Sequence, residues 1–244
     1  MSIEVSAGRE TVVRTARGAM LYDGSRGGQP QERMFDREHW RTLGAIEETV
    51  GGRGTVAFVR HDGQRWVLRH YRRGGLVARV LDDRYLYSGA DRTRAFREWR
   101  LLLRLRAANL PVPSPVAARY TRSGVLYRAD LITEELPTRR TLAQSLAAGP
   151  LDAPAWHAIG ACVGRLHGAG VHHADLNAHN VLLGPDGAVY VLDFDRGRIR
   201  PRGSWERAVC ERLRRSLLKV TANLPAGRFG EPAWRELLRG CAEA

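Results

Sequence analysis

The sequence contains a single lysine, few cysteines and no long apolar run. Lys219 is the only lysine among 39 basic residues, a bias that we attribute to the codon usage of a GC-rich genome. The three cysteines, Cys162, Cys210 and Cys241, are far apart, which argues against a disulfide framework or a zinc site and fits a reducing cytosol. No run of roughly 18 apolar residues occurs, and the first residues lack the apolar core of a secretory signal. We therefore expect neither a transmembrane helix nor a signal peptide.

Positive charge is in clear excess. The formal net charge is +13 and the isoelectric point is about 10.8, so the surface should attract polyanions such as nucleic acid or anionic lipid. No helix-turn-helix signature, zinc-finger spacing or aromatic-basic RNA-recognition run is present. We therefore expect no nucleic-acid partner, although a basic nucleic-acid-binding protein without enzymatic activity remains the alternative from a different class.

The order of predicted elements changes character at Pro137. With 244 residues, 43% of them hydrophobic, the chain can form one large domain or two small lobes around a shared cleft. Before Pro137 the hydrophobic patterns predict mostly strands and one long helix at 91–108; after it, helices and one short hairpin dominate. The sequence therefore predicts an α+β fold with an N-lobe at 1–136 and a C-lobe at 137–244.

One segment of the second half combines the side chains that phosphoryl transfer requires. Asp175 and Asn180 lie five positions apart on a loop after an amphipathic helix, and Asp193 follows a short strand hairpin. Phosphoryl transfer needs one carboxylate facing the acceptor hydroxyl and hard oxygen ligands holding magnesium against the triphosphate. Each of these residues alone would be an ordinary turn former, but together they favour a catalytic Asp175 with Asn180 and Asp193 as Mg²⁺ ligands.

These residues resemble two protein-kinase motifs, the catalytic loop His-Arg-Asp-x-x-x-x-Asn and the metal-binding Asp-Phe-Gly. They stand here as His173-Ala-Asp175 with Asn180, and as Asp193-Phe-Asp195. The resemblance implies a two-lobed protein-kinase-like fold, in which a small antiparallel N-lobe sheet carries one main helix and a helical C-lobe carries a short catalytic hairpin. It also implies ATP and Mg²⁺ as cofactors. The missing glycine, and the absence of an Ala-Pro-Glu segment, point away from peptide substrates.

The same resemblance implies that residues of the N-lobe bind the phosphates of the nucleotide. Gly52 and Gly54 would form the glycine-rich turn, although a tight hairpin uses glycine equally well. Arg69 stands where the usual lysine is expected and can still grip phosphate oxygens through its planar guanidinium. Glu98 on the long helix is its expected partner, with an ordinary surface ion pair as the alternative.

The resemblance also implies a segment that contacts adenine. Glu134 to Leu136, at the lobe junction, is the expected hinge that contacts adenine through its backbone. The histidines near the catalytic loop, His167, His172, His173 and His179, could bind a metal, but a histidine before the catalytic aspartate more often packs and hydrogen-bonds.

Longer stretches resemble the lipopolysaccharide core kinases, and among them the 3-deoxy-D-manno-octulosonic acid (Kdo) kinases. These stretches begin at Trp66-Val-Leu-Arg69, Asp83-Arg-Tyr-Leu-Tyr87, Arg94-Ala-Phe-Arg-Glu98, His173-Ala-Asp175 and Leu192-Asp-Phe-Asp-Arg-Gly197. The resemblance implies ATP-dependent phosphorylation of the 4-hydroxyl of a Kdo residue on a lipid A precursor, at the cytoplasmic face of the inner membrane. A heptose kinase, an aminoglycoside phosphotransferase or a choline kinase remains the alternative within enzymes. The missing lysine motivates a catalytically inactive scaffold, which the three intact site residues argue against.

Arginine-rich surfaces fit an anionic glycolipid acceptor. Arg69, Arg72 and Arg73 could line the cleft and attract the Kdo carboxylate and lipid phosphates, or Arg72 and Arg73 could simply be solvated. A helix from Ser204 to Lys219 carries basic residues opposite an apolar stripe. Its basic face could make peripheral contact with the anionic inner membrane, while the stripe is expected to belong to the C-lobe core.

Overall fold

The computed structural model describes residues 10–26, 30–51, 54–72 and 83–244. Gly52, Arg73 and residues 76–81, whose pattern after the glycines at 74 and 75 indicates a short helix, lie outside these ranges. Within them the chain forms two compact units. One contains the described residues up to Arg104 together with Ser114–Glu135; the other contains Leu105–Pro113 and the residues from Leu136 onward. None of the helices in the described ranges has the length and apolar character needed to cross a bilayer.

The unit that contains the N-terminal residues is built on an antiparallel sheet. Its strands are β1 Glu10–Thr15, β2 Gly18–Asp23, β3 Ile46–Gly51, β4 Gly54–His61, β5 Gln64–His70, β6 Tyr85–Leu86, β7 Pro115–Ser123 and β8 Leu126–Glu134. They follow the order β1-β2-β7-β8-β5-β4-β3, and β6 pairs with β8. Every pairing is antiparallel, so short hairpin connections suffice for most neighbours.

Among the described residues, two helices accompany this sheet. Helix α1, Arg37–Thr42, is capped by Asp36, whose side chain accepts a hydrogen bond from the Glu38 amide. Helix α2, Arg94–Ala107, confirms the long helix of the first half. Its apolar stripe is buried and comprises Phe96, Trp99, Leu102 and Leu103.

The unit that contains the C-terminal residues is mostly helical. Its helices are α3 Leu142–Ala148, α4 Ala153–Gly168, α5 Trp205–Thr221 and α6 Glu231–Glu243. The strands β10 Val181–Leu183 and β11 Val189–Val191 form the predicted hairpin, and β9 Val171–His172 pairs with β12 Arg198–Ile199. The predicted apolar stripes of α4 and α5 are buried, as shown by Trp156, Leu166, Val209 and Leu213. The α+β fold class is therefore confirmed.

Helices α4 and α6 approach each other more closely than side chains normally allow. A Cβ atom placed on Gly160 would lie 1.9 Å from the Leu237 carbonyl oxygen, and one on Gly240 would lie 2.1 Å from the His157 carbonyl oxygen. A Cβ on Gly164 would lie 2.5 Å from the Cys241 carbonyl oxygen. The three glycines therefore permit direct backbone contact between the two helices.

Candidate active site

The loop that carries Asp175 begins where helix α4 ends at a glycine turn. The Gly170 amide donates to the His167 carbonyl at 2.8 Å, and Gly170 has a φ of 71°, a backbone conformation that favours glycine. A Cβ here would also lie 2.5 Å from the Arg200 carbonyl oxygen. This turn directs the chain into β9 and onward to the loop.

His173 connects the loop to the strand that precedes Asp193. Its Nε2 donates to the Leu192 carbonyl at 2.8 Å, and its Nδ1 accepts from the Asp175 amide at 3.3 Å. The ring is buried and packs edge-on against Phe194, with 4.8 Å between ring centroids. Burial lowers the pKa of His173, which keeps the imidazole neutral so that Nδ1 can accept. The expected packing role of this histidine is thus observed.

Hydrogen bonds among loop groups bring the three predicted residues close together. The Asp175 carbonyl accepts from Nδ2 of Asn180 at 3.0 Å and from Nδ2 of Asn177 at 2.8 Å. The Asn180 carbonyl accepts from the Leu192 amide at 2.8 Å, and Asp193 is the next residue. Asp175, Asn180 and Asp193 are all partly accessible to solvent. The structure therefore gathers them in one place without sealing them under the core.

Asp193 has an unusual backbone conformation. Its φ is 63°, in the left-handed region that non-glycine residues rarely adopt and that asparagine and aspartate tolerate best. Just beyond it, the Gly197 amide donates to the Phe194 carbonyl at 2.7 Å, closing a turn. The chain around Asp193 is thus held in a strained conformation of the kind found at functional sites.

The donor set fits a hard divalent cation. Because Asn180 uses its amide nitrogen to bond the Asp175 carbonyl, its amide oxygen points elsewhere and can act as a ligand. Together with the Asp193 carboxylate it offers the oxygen ligands that Mg²⁺ prefers. Asn180 and Asp193 are therefore the residues that would hold this ion.

Helix α5 contributes two contacts that sequence reasoning missed. The Arg212 guanidinium forms an ion pair with the Asp175 carboxylate, and the Ser216 hydroxyl accepts from the Ala178 amide at 3.0 Å. Both residues lie one helical turn apart on the margin of the exposed basic face. That face was interpreted only as solvated or lipid-facing, and its periodicity does not reveal which arginine reaches the loop.

Arg69 and Glu98 form the expected pair in the other unit. The Arg69 guanidinium, on β5, contacts the carboxylate of Glu98, on α2. Arg69 also donates to the Tyr71 hydroxyl at 3.0 Å, and that hydroxyl donates to Glu98 at 2.6 Å. Glu98 is only 2% exposed, so the alternative of a surface ion pair is wrong for this residue. Burial and the Glu98 charge raise the pKa of Tyr71 well above its ordinary value, which keeps the phenol a donor.

The remaining predicted residues have less distinctive surroundings. Gly54 opens strand β4 opposite Gly51 at the end of a hairpin. Glu134 is the last residue of β8, and its amide donates to the Ser114 carbonyl at 2.9 Å. Leu136 follows it and is partly exposed. The nucleotide-binding roles assigned to these residues stay predictions.

The four histidines near the loop, for which metal binding was the less favoured alternative, do not come together as one group. His173 bonds to backbone groups, His179 is exposed, and His172 packs edge-on against Trp205 with 5.3 Å between ring centroids. Only His167 lies close to other potential ligands among the described residues, and those are cysteines.

Comparison with known proteins identifies relatives over most of the chain. The model of the family described as "Lipopolysaccharide kinase (Kdo/WaaP) family" matches residues 37–240. A protein of Xanthomonas euvesicatoria pv. vesicatoria (strain 85-10), named 3-deoxy-D-manno-octulosonic acid kinase, is 45% identical over 207 residues, which are 84% of this chain and 82% of that protein.

Proteins of the same name from two other bacteria are similar to a comparable degree. The protein of Stenotrophomonas maltophilia (strain R551-3) is 44% identical over 83% of this chain and 81% of its own length. The protein of Vibrio parahaemolyticus serotype O3:K6 (strain RIMD 2210633) is 42% identical over 78% of this chain and 80% of its own length.

Proposed function

Because the chain belongs to the lipopolysaccharide kinase (Kdo/WaaP) family, we propose that it transfers the γ-phosphoryl group of ATP to the 4-hydroxyl of a Kdo residue on a lipid A precursor. The observation that carries the proposal is the hydrogen-bonded arrangement of Asp175, Asn180 and the strand before Asp193, fixed by the buried His173. This arrangement supplies one carboxylate for the acceptor and two oxygen ligands for a cation.

Each site residue then has a defined task. The Asp175 carboxylate orients the acceptor hydroxyl and takes up its proton as the oxygen bonds to the γ-phosphorus and the bond to the β,γ-bridging oxygen breaks, releasing ADP. Asn180 and Asp193 would hold Mg²⁺, an ion that would supply positive charge to neutralise the phosphates. His173 positions Asp175 by accepting its amide hydrogen bond.

The nucleotide-binding roles in the other unit are part of the same proposal. Contacts with Glu98 and Tyr71 already fix the orientation of the Arg69 guanidinium. Binding of phosphate oxygens would therefore require little further ordering of this side chain. Gly52 and Gly54 would cover the phosphates with backbone amides, and Glu134 to Leu136 would contact adenine through backbone groups.

Arg212 is suited to recognise the acid group of the acceptor. Kdo carries a carboxylate, and the Arg212 guanidinium lies directly against Asp175 while 45% of its side chain stays exposed. An incoming carboxylate could replace Asp175 as the partner of Arg212, which would free the Asp175 oxygen for the hydroxyl. The resting ion pair would thus be exchanged for a contact with substrate.

The exposed face of α5 supports a place at an anionic membrane, which for this acceptor is the cytoplasmic face of the inner membrane. Arg207, Arg215 and Lys219 are exposed on this helix, and Leu218, 54% exposed, lies among them. Basic residues around an exposed apolar side chain are typical of helices that rest on anionic lipid. The same helix carries Arg212 to the catalytic loop, so membrane contact would bring a glycolipid acceptor near Asp175.

The proposal is tested by replacing the catalytic carboxylate with its amide. Purified Asp175→Asn protein, given ATP, Mg²⁺ and Kdo-lipid A precursor, should transfer phosphate at least about 100-fold more slowly, because the general base is lost. The readout is phosphate on the Kdo residue, measured by mass spectrometry, with nucleotide affinity changing little. Asp186→Asn is the matched control, since Asp186 is exposed on the turn between β10 and β11.

Acceptor choice is decided in the same assay. Heptosylated core and an aminoglycoside are offered beside the Kdo-lipid A precursor, and turnover should be greatest with the Kdo acceptor. Preferential turnover of either competitor would overturn the substrate assignment but leave the assignment of kinase activity intact. Undiminished turnover by Asp175→Asn would overturn the assignment of the base.

A further inference from the structure

Three potential metal ligands that are distant in sequence meet between helices of the C-terminal unit. His167 lies near the end of α4, Cys210 in α5 and Cys241 in α6. Their ligand atoms all lie within 4.8 Å of one another, and Cys241 Sγ is 4.0 Å from His167 Nδ1. The wide spacing of the cysteines argued against such a cluster, but spacing along the chain cannot exclude ligands supplied one from each of three helices.

The close approach of α4 and α6 explains why the cluster forms. Gly164 lies one turn before His167, and Gly240 immediately precedes Cys241. Because these glycines let the two helix backbones touch, the Cys241 side chain reaches the imidazole of His167. The Trp205 indole packs edge-on against the same imidazole, with 5.3 Å between ring centroids. The cluster is therefore built by the helix packing rather than left by chance on a surface.

The chemistry of the three groups matches a borderline-soft divalent cation. Zinc bonds of about 2.3 Å to sulfur and 2.0–2.1 Å to nitrogen place tetrahedral ligands about 3.6–3.8 Å apart, so side-chain shifts of about 1 Å would close the site. Two thiolates and a neutral imidazole cancel the charge of the cation, which lowers the cost of burying it. His167 and Cys210 are buried, whereas Cys241 is partly exposed, so a cation and a water ligand would reach the cluster from the Cys241 side.

We propose that His167, Cys210 and Cys241 form a binding site for a soft divalent cation of the Zn²⁺ class, which ties α4, α5 and α6 together. A disulfide between the two cysteines would use only two of the three groups and would not involve the imidazole that faces Cys241. A bound cation would use all three groups, so we favour the cation. The site is separate from the proposed Mg²⁺ ligands and does not depend on the proposed phosphotransfer. It lies at the base of the catalytic loop, because α4 leads into that loop through Gly170.

Cobalt is the spectroscopic probe for this site. The full chain, reduced and freed of metal, is titrated with Co²⁺ in the presence of millimolar Mg²⁺, which does not compete for thiolate ligands. We expect one equivalent to bind with a thiolate-to-cobalt charge-transfer band in the near ultraviolet, and Zn²⁺ to displace it. Cys210→Ser and Cys241→Ser should each weaken binding at least about 100-fold.

Cys162 provides the matched control. Cys162 is buried and lies on α4, the helix that also carries His167. Its thiol donates to the Val189 carbonyl at 3.7 Å, away from the cluster. Cys162→Ser should bind Co²⁺ as the unaltered chain does. As a second readout, Zn²⁺ at about 100 times its Kd should raise the Tm of the unaltered chain by at least about 5 °C but leave that of Cys241→Ser unchanged.

Several results would overturn the proposal. Absence of a charge-transfer band at equimolar Co²⁺ in the unaltered, reduced chain would exclude a thiolate site, as would Cys210 and Cys241 pairing as a disulfide under these conditions. A band that persisted in the Cys210→Ser and Cys241→Ser variants would place the cation elsewhere. Since binding to the unaltered chain is measured directly, poor folding of a variant cannot hide the answer.

Discussion

At the scale of single residues, the ion pair between Arg212 and Asp175 gives the sharpest prediction about the acceptor. Arg212→Ala should raise the KM for Kdo-lipid A precursor about 10-fold or more while the KM for ATP changes little, because the proposed charge-assisted contact to the Kdo carboxylate would be lost. Steady-state kinetics with each substrate varied in turn measures both effects.

Esterification of the acceptor carboxylate separates recognition from general charge effects. The ester should be a poorer acceptor for the unaltered enzyme but no poorer than the free acid for Arg212→Ala. Arg215→Ala is the control, since Arg215 is an exposed arginine on the same helix. If Arg212→Ala discriminated between acid and ester as the unaltered enzyme does, Arg212 would have no part in binding that group.

Residues of the catalytic loop were predictable from sequence, whereas their partners from other elements were not. Asp175 and Asn180 share one loop, so their spacing alone indicates a common site. Arg212 reaches Asp175 across 37 positions, from a helix on which Arg207, Arg215 and Lys219 are exposed and Arg214 pairs with Glu231. The periodicity of the helix shows which residues face the core, but it does not show which of its arginines contacts the loop that carries Asp175.

At the scale of elements, the glycine contact between α4 and α6 should tolerate no added carbon. Gly160→Ala should lower the free energy of unfolding by at least about 2 kcal/mol, because the new methyl group meets the Leu237 carbonyl. Gly168→Ala on the same helix has open space and should be neutral or stabilising by up to about 1 kcal/mol. Urea unfolding followed by circular dichroism measures both; equal stabilities would show that the helices separate freely.

Elements with a regular hydrophobic period were predicted well, and those without one were missed. Helices α2 and α4 repeat large apolar residues every three to four positions, so both were found. Strand β3 was missed because Glu47 and Glu48 interrupt its alternation; it is specified by pairing with β4. The short helix α3 was also missed, since its main signal is a capping box between Thr141 and Gln144.

At the scale of the whole molecule, the net charge of +13 predicts binding to anionic lipid that weakens with salt. The chain should sediment with vesicles containing about 30% anionic lipid at about 0.05 M salt and should be released at about 0.5 M salt. It should not bind zwitterionic vesicles. Co-sedimentation measures the bound fraction. Binding that was absent, or indifferent to salt, would contradict a peripheral electrostatic association.

Two variants of equal charge show whether α5 is the membrane-facing element. One replaces Arg207, Arg215 and Lys219 by glutamine, and the other replaces Arg92, Arg97 and Arg104, all of which are exposed. The first variant should lose most of its binding and the second should lose little. Equal losses would mean that total charge matters and that no particular face is presented to lipid.

The left-handed backbone conformation of Asp193 lowers the stability of the fold at a residue that the proposed reaction requires. An aspartate with a φ of 63° carries a conformational cost of roughly 1 kcal/mol that glycine would avoid. Asp193→Gly should therefore yield a chain that melts at a higher temperature and yet transfers no phosphate. Under the proposed metal role, the chain keeps this carboxylate at a cost to the stability of its fold.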